Sequence, residues 1–176
     1  MKNAFKPMLV AVVCLGLAAC ASKEPAPTEP VEPEPTRPTT PPPVVDRVNP
    51  NDYSDPRNLT EPDSLLSKRV IYFDFDQSTI RSEFRAILAA HGEFLSTNPN
   101  YSATLEGHAD ERGTREYNLG LGERRANAVL GVLDVQGASG SQLSDVSYGE
   151  ERPVSTCSEE RCWSQNRRVE IVYTRS

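Results

Sequence analysis

The sequence predicts a two-layer α/β sandwich that follows a disordered, proline-rich tether. Segments rich in β-branched and aromatic residues alternate with segments whose apolar residues recur at helical spacing. Prolines crowd the stretch that precedes them. Strands that alternate with helices bury their apolar sides against each other in two layers. The roughly 110 residues from Asp63 to Ser176 suit one domain.

The first half of the domain is predicted to form a strand, a helix and a second strand. Arg69–Phe75 is β-branched and aromatic, so we expect a buried strand. Asp76–Ser78 then gives a turn and a helix cap, and the helix ends near Asn98. Alternating apolar and polar residues over Tyr101–Glu106 predict a half-buried strand. The residues at helical spacing are Ile80, Phe84, Ile87, Leu88, His91 and Leu95.

The second half is predicted to contain another helix and two further strands. The helix is expected over about Arg115–Gln136, and Ser141–Leu143 begins a short helical turn. Asp145–Tyr148 and Arg168–Tyr173 have the composition of strands. The apolar stripe of the helix consists of Ala126, Val129, Leu130 and Leu133.

Residues 1–19 are predicted to be an export signal rather than part of the fold. Lys2 and Lys6 precede the apolar run Met8–Leu17, which is shorter than the roughly 20 residues that a membrane span requires. The letters LAAC then end at Cys20 and resemble the lipobox of bacterial lipoproteins. That resemblance implies that Cys20 is lipidated and anchors the chain stably to a membrane. The alternative is an ordinary signal peptide with an incidental cysteine.

The residues after Cys20 bear on which membrane holds the anchor. Ala21 and Ser22 follow it, whereas an aspartate directly after the cysteine favours retention in the inner membrane of many Gram-negative bacteria. We therefore expect a lipid anchor in the outer membrane that faces the periplasm.

Residues 20–62 are predicted to be a disordered tether. They combine recurrent prolines with Glu and Thr and contain few large apolar residues, so burial cannot offset the entropy of ordering them. At about 3.1 Å per residue, an extended proline-rich chain of some 40 residues reaches on the order of 100 Å. The tether therefore lets the domain stand well away from its anchor.

The mature domain keeps two cysteines, because Cys14 leaves with the signal. Cys157 and Cys162 form a C-x4-C pair in an exported, oxidising compartment, which favours a short-loop disulfide. A zinc site is the alternative, but it needs two further ligands. The chain has only two histidines, His91 and His108, and neither has ligand spacing to the pair.

The segment GHADERGTREYNLGLGERR, residues 107–125, carries the strongest functional signal. A strand end delivers Asp110 into a turn around Gly113, and a helix follows that carries Arg125. An anion and a cation beside one crevice suit a zwitterionic ligand, because the guanidinium can bind a carboxylate with two parallel hydrogen bonds. The alternatives are a structural salt bridge between the two residues or two solvated charges.

The same segment argues against other functional classes. No nucleophile, base or metal cluster accompanies it, so we expect neither catalysis nor a cofactor. The formal net charge is −6, whereas nucleic-acid binding calls for a basic face.

Five motifs occur in order through the domain: VIYFDFD, EGHADERGT, NLGLGERRANAV, SYGEERP and NRRVEI. Together they resemble the OmpA-like peptidoglycan-binding domain, which implies a mixed sheet with helices packed on one face. With the lipobox and the tether, the chain resembles the peptidoglycan-associated lipoproteins of the Tol–Pal system. That resemblance implies a role in envelope integrity and in constriction of the outer membrane at cell division.

The resemblance also implies partners and a ligand. The ligand is the meso-diaminopimelate of the peptidoglycan stem peptide, whose side-chain end is zwitterionic. The implied protein partners are a TolB-type β-propeller, TolA and OmpA-like proteins. The disulfide loop before Asn166 departs from the family pattern, and we expect it to reshape a surface that faces partners.

Residue roles follow from the matching motif positions. Asp110 is implied to bind the ammonium of diaminopimelate and Arg125 its carboxylate, while Phe75 and Asp76 line the same pocket. Leu121 lies one helical turn before Arg125 and is expected to pack on the aliphatic stem of the ligand.

Two residues near these positions have open or different roles. Asn118 lies on the same helix face as Leu121 and either contacts the ligand or fixes the loop. Arg124 is expected to point away from the pocket, toward the surface or a partner.

Two other functions remain open from the sequence. A wall hydrolase would use His108, Asp110 and Glu111 as metal or acid–base residues, but successive side chains at a strand end point in different directions. An OmpA-like wall-binding lipoprotein of a motility or other envelope complex would share the pocket without binding TolB.

Overall fold

The computed structural model describes residues 48–176, which form a four-stranded sheet with three α-helices. The predicted export signal, the predicted lipidation site Cys20 and the part of the predicted tether before residue 48 lie outside the described residues. The strands are β1 (Val70–Tyr72), β2 (Tyr101–His108), β3 (Leu143–Gly149) and β4 (Arg168–Arg175). The helices are α1 (Arg85–Thr97), α2 (Arg115–Val135) and α3 (Glu160–Asn166). Short 3-10 turns lie at Pro56–Leu59, Leu65–Ser67, Ser82–Phe84 and Gly140–Gln142.

The sheet is mixed, with the strand order β1-β4-β2-β3. Strand β4 is antiparallel to both of its neighbours, and β2 and β3 are parallel. Consequently β1, β2 and β3 all run in one direction, and their carboxyl ends reach the same edge of the sheet. The predicted mixed α/β sandwich is confirmed.

Helices α1 and α2 cover one face of this sheet. In β2, Ala103 and Leu105 are fully buried in the core with Leu88, Phe94 and Val129 from the helices. On the other face, the hydroxyls of Thr104 and Ser144 lie 3.0 Å apart at an exposed position. This alternation follows from the two-residue period of a strand.

Helix α2 approaches β2 through two glycines. A Cβ added to Gly107 would lie 2.0 Å from the carbonyl oxygen of Gly122, and one added to Gly122 would lie 2.9 Å from that of Gly107. Only glycine permits so close an approach of two backbones. The contact fixes the helix over the strand end from which Asp110 emerges.

The first strand is shorter than predicted, because arginine side chains rather than a neighbouring strand donate to the carbonyls that follow Tyr72. The expected strand Arg69–Phe75 ends at Tyr72. Beyond it, Arg167 Nε donates to Phe73 O at 3.1 Å and Arg125 Nη2 donates to Asp74 O at 3.1 Å. Side chains thus bond these two carbonyls, although the Phe73 N–H still donates to the backbone Arg167 O at 2.9 Å.

Helix α1 begins later than its apolar spacing predicts. The sequence placed a helix cap at Asp76–Ser78, but the chain is irregular there and α1 begins at Arg85, after the 3-10 turn Ser82–Phe84. Asp76 adopts a left-handed conformation with φ of 55°, which is incompatible with a helical start. Ile80 still packs against the core, from a loop rather than a helix.

Residues 48–62, which the sequence assigned to the tether, are ordered against the domain. Asn58 is fully buried, and its Nδ2 donates to Asn49 O at 2.8 Å. Tyr53 and Leu59 pack against the core. The folded part therefore extends N-terminal to the expected start at Asp63, because two apolar side chains and one buried amide suffice to hold this segment.

The sequence analysis missed helix α3, which lies between the cysteine pair and β4. The helix has 7 residues and includes Cys162, which forms a disulfide with Cys157 at a Cα–Cα distance of 5.6 Å. The predicted disulfide is therefore confirmed. No helix within residues 48–176 is both long enough and apolar enough to cross a bilayer.

Candidate ligand pocket

The pocket lies at the sheet edge where β1 and β2 end. The turn after β1 and the loop Ala109–Thr114 after β2 form two of its walls, and the first half of α2 forms the third. The cavity has a volume of about 190 Å³. Its lining residues are Phe75, Asp76, Asp110, Arg112, Gly113, Tyr117, Asn118, Leu121 and Arg125.

All six residues that the sequence analysis singled out for ligand binding line this one cavity. They come from segments up to 50 positions apart, and the parallel directions of β1 and β2 bring them together at one edge. Helix α2 adds Asn118, Leu121 and Arg125 from one helical face, as the spacing predicted. Their role in binding stays a prediction.

Asp110 is a buried carboxylate that is held by two arginines. Its side chain is 4% exposed; its Oδ2 accepts from Arg112 Nη2 at 2.6 Å and from Arg167 Nη1 at 3.3 Å. Its Oδ1 accepts from the backbone N–H and the Nε of Arg112. Burial by itself would raise the pKa of Asp110, but these hydrogen bonds together lower it below the usual value, so the residue is anionic at neutral pH.

Arg125 is fully buried and joins the two strand ends. Its Nε donates to Gln77 O at 2.8 Å and its Nη1 donates to His108 O at 2.8 Å, while its Nη2 donates to Asp74 O. The anticipated alternative, a salt bridge between Asp110 and Arg125, is not formed. Arg125 donates to the three carbonyls instead, and Asp110 accepts from two other arginines. Burial lowers the pKa of Arg125 to about 10, so the guanidinium stays cationic at neutral pH.

The turn at Phe75 and Asp76 is held from both sides. The left-handed φ of Asp76 is uncommon for a residue with a side chain and marks local strain. Arg125 bonds carbonyls on either side of it, and the hydroxyl of Tyr117 donates to its carboxylate. Phe75 is left 56% exposed, with its ring at the pocket.

Asn118 has the structural role that the sequence analysis left open. Its Nδ2 donates to Asp110 O at 3.0 Å and to the carboxylate of Glu150. It thereby ties the loop after β2 to the chain that follows β3. Leu121, which is only 6% exposed, supplies an apolar wall beside it.

The sequence analysis missed Arg112, which lines the pocket, and Trp163, whose ring contacts Arg112. The guanidinium carbon of Arg112 lies 3.9 Å from the ring centroid of Phe75 and 4.1 Å from that of Trp163, so the group is enclosed between two aromatic rings. The spacing Asp-x-Arg at positions 110 and 112 was a usable signal, because a side chain two residues on can reach an aspartate locally. Trp163 belongs to α3, and no local signal predicted its approach.

The residues proposed for the hydrolase alternative do not converge. The ring of His108 faces Tyr148, with centroids 5.6 Å apart, and burial lowers its pKa to about 4. Glu111 accepts instead from Trp163 Nε1 at 3.0 Å. Within residues 48–176, no group of three or more His, Cys, Asp or Glu side chains has the geometry of a metal site.

Comparison with known proteins gives a consistent family signal. A model of the OmpA family matches residues 72–167. The chain is 40% identical to the peptidoglycan-associated lipoprotein of Rhizobium meliloti over 165 aligned residues. The alignment covers 94% of this chain and 85% of that relative. It is 51% identical over 102 residues to that of Agrobacterium fabrum, covering 58% of each chain.

Solved structures agree at the level of the fold. The peptidoglycan-associated lipoprotein from Burkholderia pseudomallei superposes with a TM-score of 0.65 at 42% identity, covering 66% of this chain and 98% of that one. The C-terminal domain of Helicobacter pylori MotB gives a TM-score of 0.56 at 21% identity, covering 60% of this chain and 83% of that one. The second likeness is one of fold alone.

Proposed function

The chain belongs to the OmpA family, and from this premise we propose that its folded domain binds peptidoglycan non-covalently through meso-diaminopimelate. The relatives named peptidoglycan-associated lipoproteins support the wall as the partner. The proposed role is that of a binding module rather than an enzyme. The finer assignment to diaminopimelate rests on the chemistry of the pocket.

The observation that carries this proposal is an anion and a cation that line one cavity without forming an ion pair. Asp110 and Arg125 line the same cavity, yet no ion pair joins them. A zwitterion with an ammonium and a carboxylate on one carbon complements both groups. Leu121 and the exposed ring of Phe75 give apolar surface for the methylene stem.

Arg125 retains donors for the ligand carboxylate. A guanidinium has five N–H groups, and three of them bond the carbonyls of Asp74, Gln77 and His108. Each terminal nitrogen therefore keeps one N–H that has no hydrogen-bond partner among residues 48–176. Because the protein already fixes the fork, little entropy is lost when a carboxylate binds to it.

The cellular role that we propose is a connection between the outer membrane and the wall. Lipidated Cys20 would hold the membrane end, the proline-rich tether would span the gap, and the pocket would hold the stem peptide. Within the Tol–Pal system the domain would also bind a TolB-type β-propeller, with TolA and OmpA-like proteins as further partners. Such a connection serves envelope integrity and constriction of the outer membrane at division.

Sedimentation with purified sacculi tests the ligand. The full chain, kept in detergent, should pellet with sacculi whose stem peptides carry diaminopimelate. It should stay in solution with sacculi that carry lysine, which has the ammonium but lacks the neighbouring carboxylate. Equal pelleting with both wall types would show that the pocket does not recognise the zwitterion.

Two variants test the charges in the same assay. Asp110→Asn and Arg125→Lys should pellet less than the wild type while keeping a folded circular dichroism spectrum. Glu151→Gln is a matched control, because Glu151 is an exposed residue that pairs with Arg115 outside the pocket. Loss of pelleting in the control as well would attribute binding to general charge.

A further inference from the structure

We propose that Arg112 is a displaceable internal partner of Asp110. In the free domain its guanidinium occupies the position that the ammonium of a bound ligand takes. The inference rests on the proposed function, since it concerns how the zwitterion enters. Its consequence is that binding is an exchange of one cation for another. Arg112 then sets both the affinity of the pocket and the class of ligand that it admits.

The first support is that the acceptor sites of Asp110 are full. A carboxylate has about four lone-pair sites. The backbone N–H and Nε of Arg112 occupy Oδ1 at 3.1 and 3.2 Å, and Nη2 of Arg112 and Nη1 of Arg167 occupy Oδ2. An ammonium therefore cannot bond Asp110 unless one of these donors leaves.

The second support is that Arg112 can move whereas Arg167 is fixed. The side chain of Arg112 is 29% exposed and lines the cavity. That of Arg167 is only 7% exposed, and its Nε also donates to Phe73 O. Arg112 is also the residue before Gly113, whose φ of 113° is in the region that favours glycine. The outer, loop-borne arginine is therefore the one that an incoming cation replaces.

The third support is that a place for the displaced guanidinium exists. Glu160 Oε2 lies 3.7 Å from Arg112 Nη2, and the side chain of Glu160 is 62% exposed. A small swing toward Glu160 would free Asp110 while the cation keeps a carboxylate partner. The guanidinium would meanwhile leave its position between the rings of Phe75 and Trp163.

Trp163 is a positioning residue in this scheme. Its ring stacks on Arg112 and its Nε1 donates to Glu111, so it supports the guanidinium in its contact with Asp110. Trp163 comes from α3, the helix that carries the disulfide cysteine Cys162. The disulfide-bonded loop would thus act on the pocket through one aromatic ring.

The exchange has a quantitative consequence. When only a fraction of molecules has a free site, the apparent dissociation constant rises by the inverse of that fraction. If Arg112 occupies Asp110 in about nine molecules in ten, its removal tightens binding about tenfold. A ligand must bring a cation to replace Arg112, so a dicarboxylate without an ammonium is excluded.

Calorimetric titration with free meso-diaminopimelate tests the inference on the full chain in detergent. Arg112→Ala should bind roughly five- to tenfold tighter than the wild type. Trp163→Ala should bind about two- to threefold tighter. The double variant should match Arg112→Ala, because Trp163 acts only through Arg112. Arg115→Ala removes the same charge from an exposed residue outside the cavity and should leave the affinity unchanged.

Fluorescence gives an independent readout, because Trp163 is the single tryptophan. Ligand should change its emission in the wild type, as Arg112 leaves the ring, and should leave the emission of Arg112→Ala nearly constant. A change of the same size in both proteins would contradict displacement.

The outcomes separate the two proposals. The inference is supported if Arg112→Ala binds the ligand more tightly than the wild type while the affinity of Arg115→Ala is unchanged. It is also supported if Arg112→Ala binds and the wild type does not. Equal or weaker binding of Arg112→Ala, with a binding wild type, overturns the inference and leaves the proposed function intact. If neither protein binds, the proposed function fails and the inference fails with it.

Discussion

Arg125 illustrates how one side chain can build a site and also belong to it. Its guanidinium donates to three carbonyls near the ends of β1 and β2, those of Asp74, Gln77 and His108. The same residue lines the cavity. At the residue scale, structural and binding roles therefore coincide in Arg125, whereas Asn118 is committed to the loop by its contacts with Asp110 and Glu150.

The substitution Arg125→Lys should affect both stability and binding. A lysine ammonium cannot reproduce the planar fork, so we expect the free energy of unfolding to fall by roughly 2–3 kcal/mol. Binding to sacculi should weaken as well. Urea denaturation and sedimentation measure the two effects, and Arg124→Lys is the control because Arg124 is the exposed neighbour. A lysine variant that is unchanged in both assays would show that the fork is not needed.

At the element scale, the contact between α2 and β2 decides where the site lies. Gly107 and Gly122 bring the helix backbone against the strand, and Asp110 emerges three residues after that contact. Helix α2 then carries Arg125 one helical turn beyond Gly122 and Leu121. A wider separation of α2 and β2 would increase the distance between Asp110 and Arg125.

Two glycine substitutions in these elements should change the free energy of unfolding in opposite directions. Gly107→Ala puts a Cβ at 2.0 Å from Gly122 O, so we expect a loss of at least about 2 kcal/mol in the free energy of unfolding. Gly131→Ala, in α2 with no atom within 4 Å of the added Cβ, should gain about 0.5–1 kcal/mol. Urea denaturation of both variants is the measurement, and a tolerated Gly107→Ala would mean that helix and strand can separate freely.

At the scale of the whole molecule, two buried histidines link folding to pH. His91 is fully buried; its ring nitrogens lie 2.8 Å from the Tyr173 hydroxyl and 3.1 Å from Lys68 O. Burial lowers its pKa from 6.5 to about 4. His108 is 2% exposed, and neither of its ring nitrogens has a partner among residues 48–176. Both imidazoles are therefore neutral in the folded domain at neutral pH.

Stability should fall as the pH drops from about 6.5 to about 4, the interval between the usual and the lowered pKa of His91. Over this interval the unfolded chain binds a proton that the folded domain excludes, which amounts to at most about 3 kcal/mol for this group. Urea denaturation at several pH values should show the decline, and His91→Gln should make it shallower. A decline of equal slope in both proteins would assign it to His108, the other buried histidine, whose pKa burial also lowers to about 4.

The order of strands and helices was predictable from the sequence, because the apolar periods of strands and helices are local. Asp110 and Arg125 were also predictable as neighbours in one pocket, since the motif places Asp110 at a strand end and Arg125 on the following helix. What the sequence did not predict depends on partners that are distant along the chain. Helix α3, the early strand end at Tyr72 and the ordered segment 48–62 belong to this group.

The clearest case is the pairing of Asp110. The local sequence contains a plausible partner in Arg125, yet Arg112 and Arg167, the second of them 57 positions away, hold the carboxylate. A sequence determines which charges exist and which helical face they occupy. Only the tertiary structure decides which of them meet, because β4 brings Arg167 beside the end of β2 and buried carbonyls take Arg125. A buried charge pairs with whichever donor the packing brings within hydrogen-bonding distance, and that distance is independent of separation along the chain.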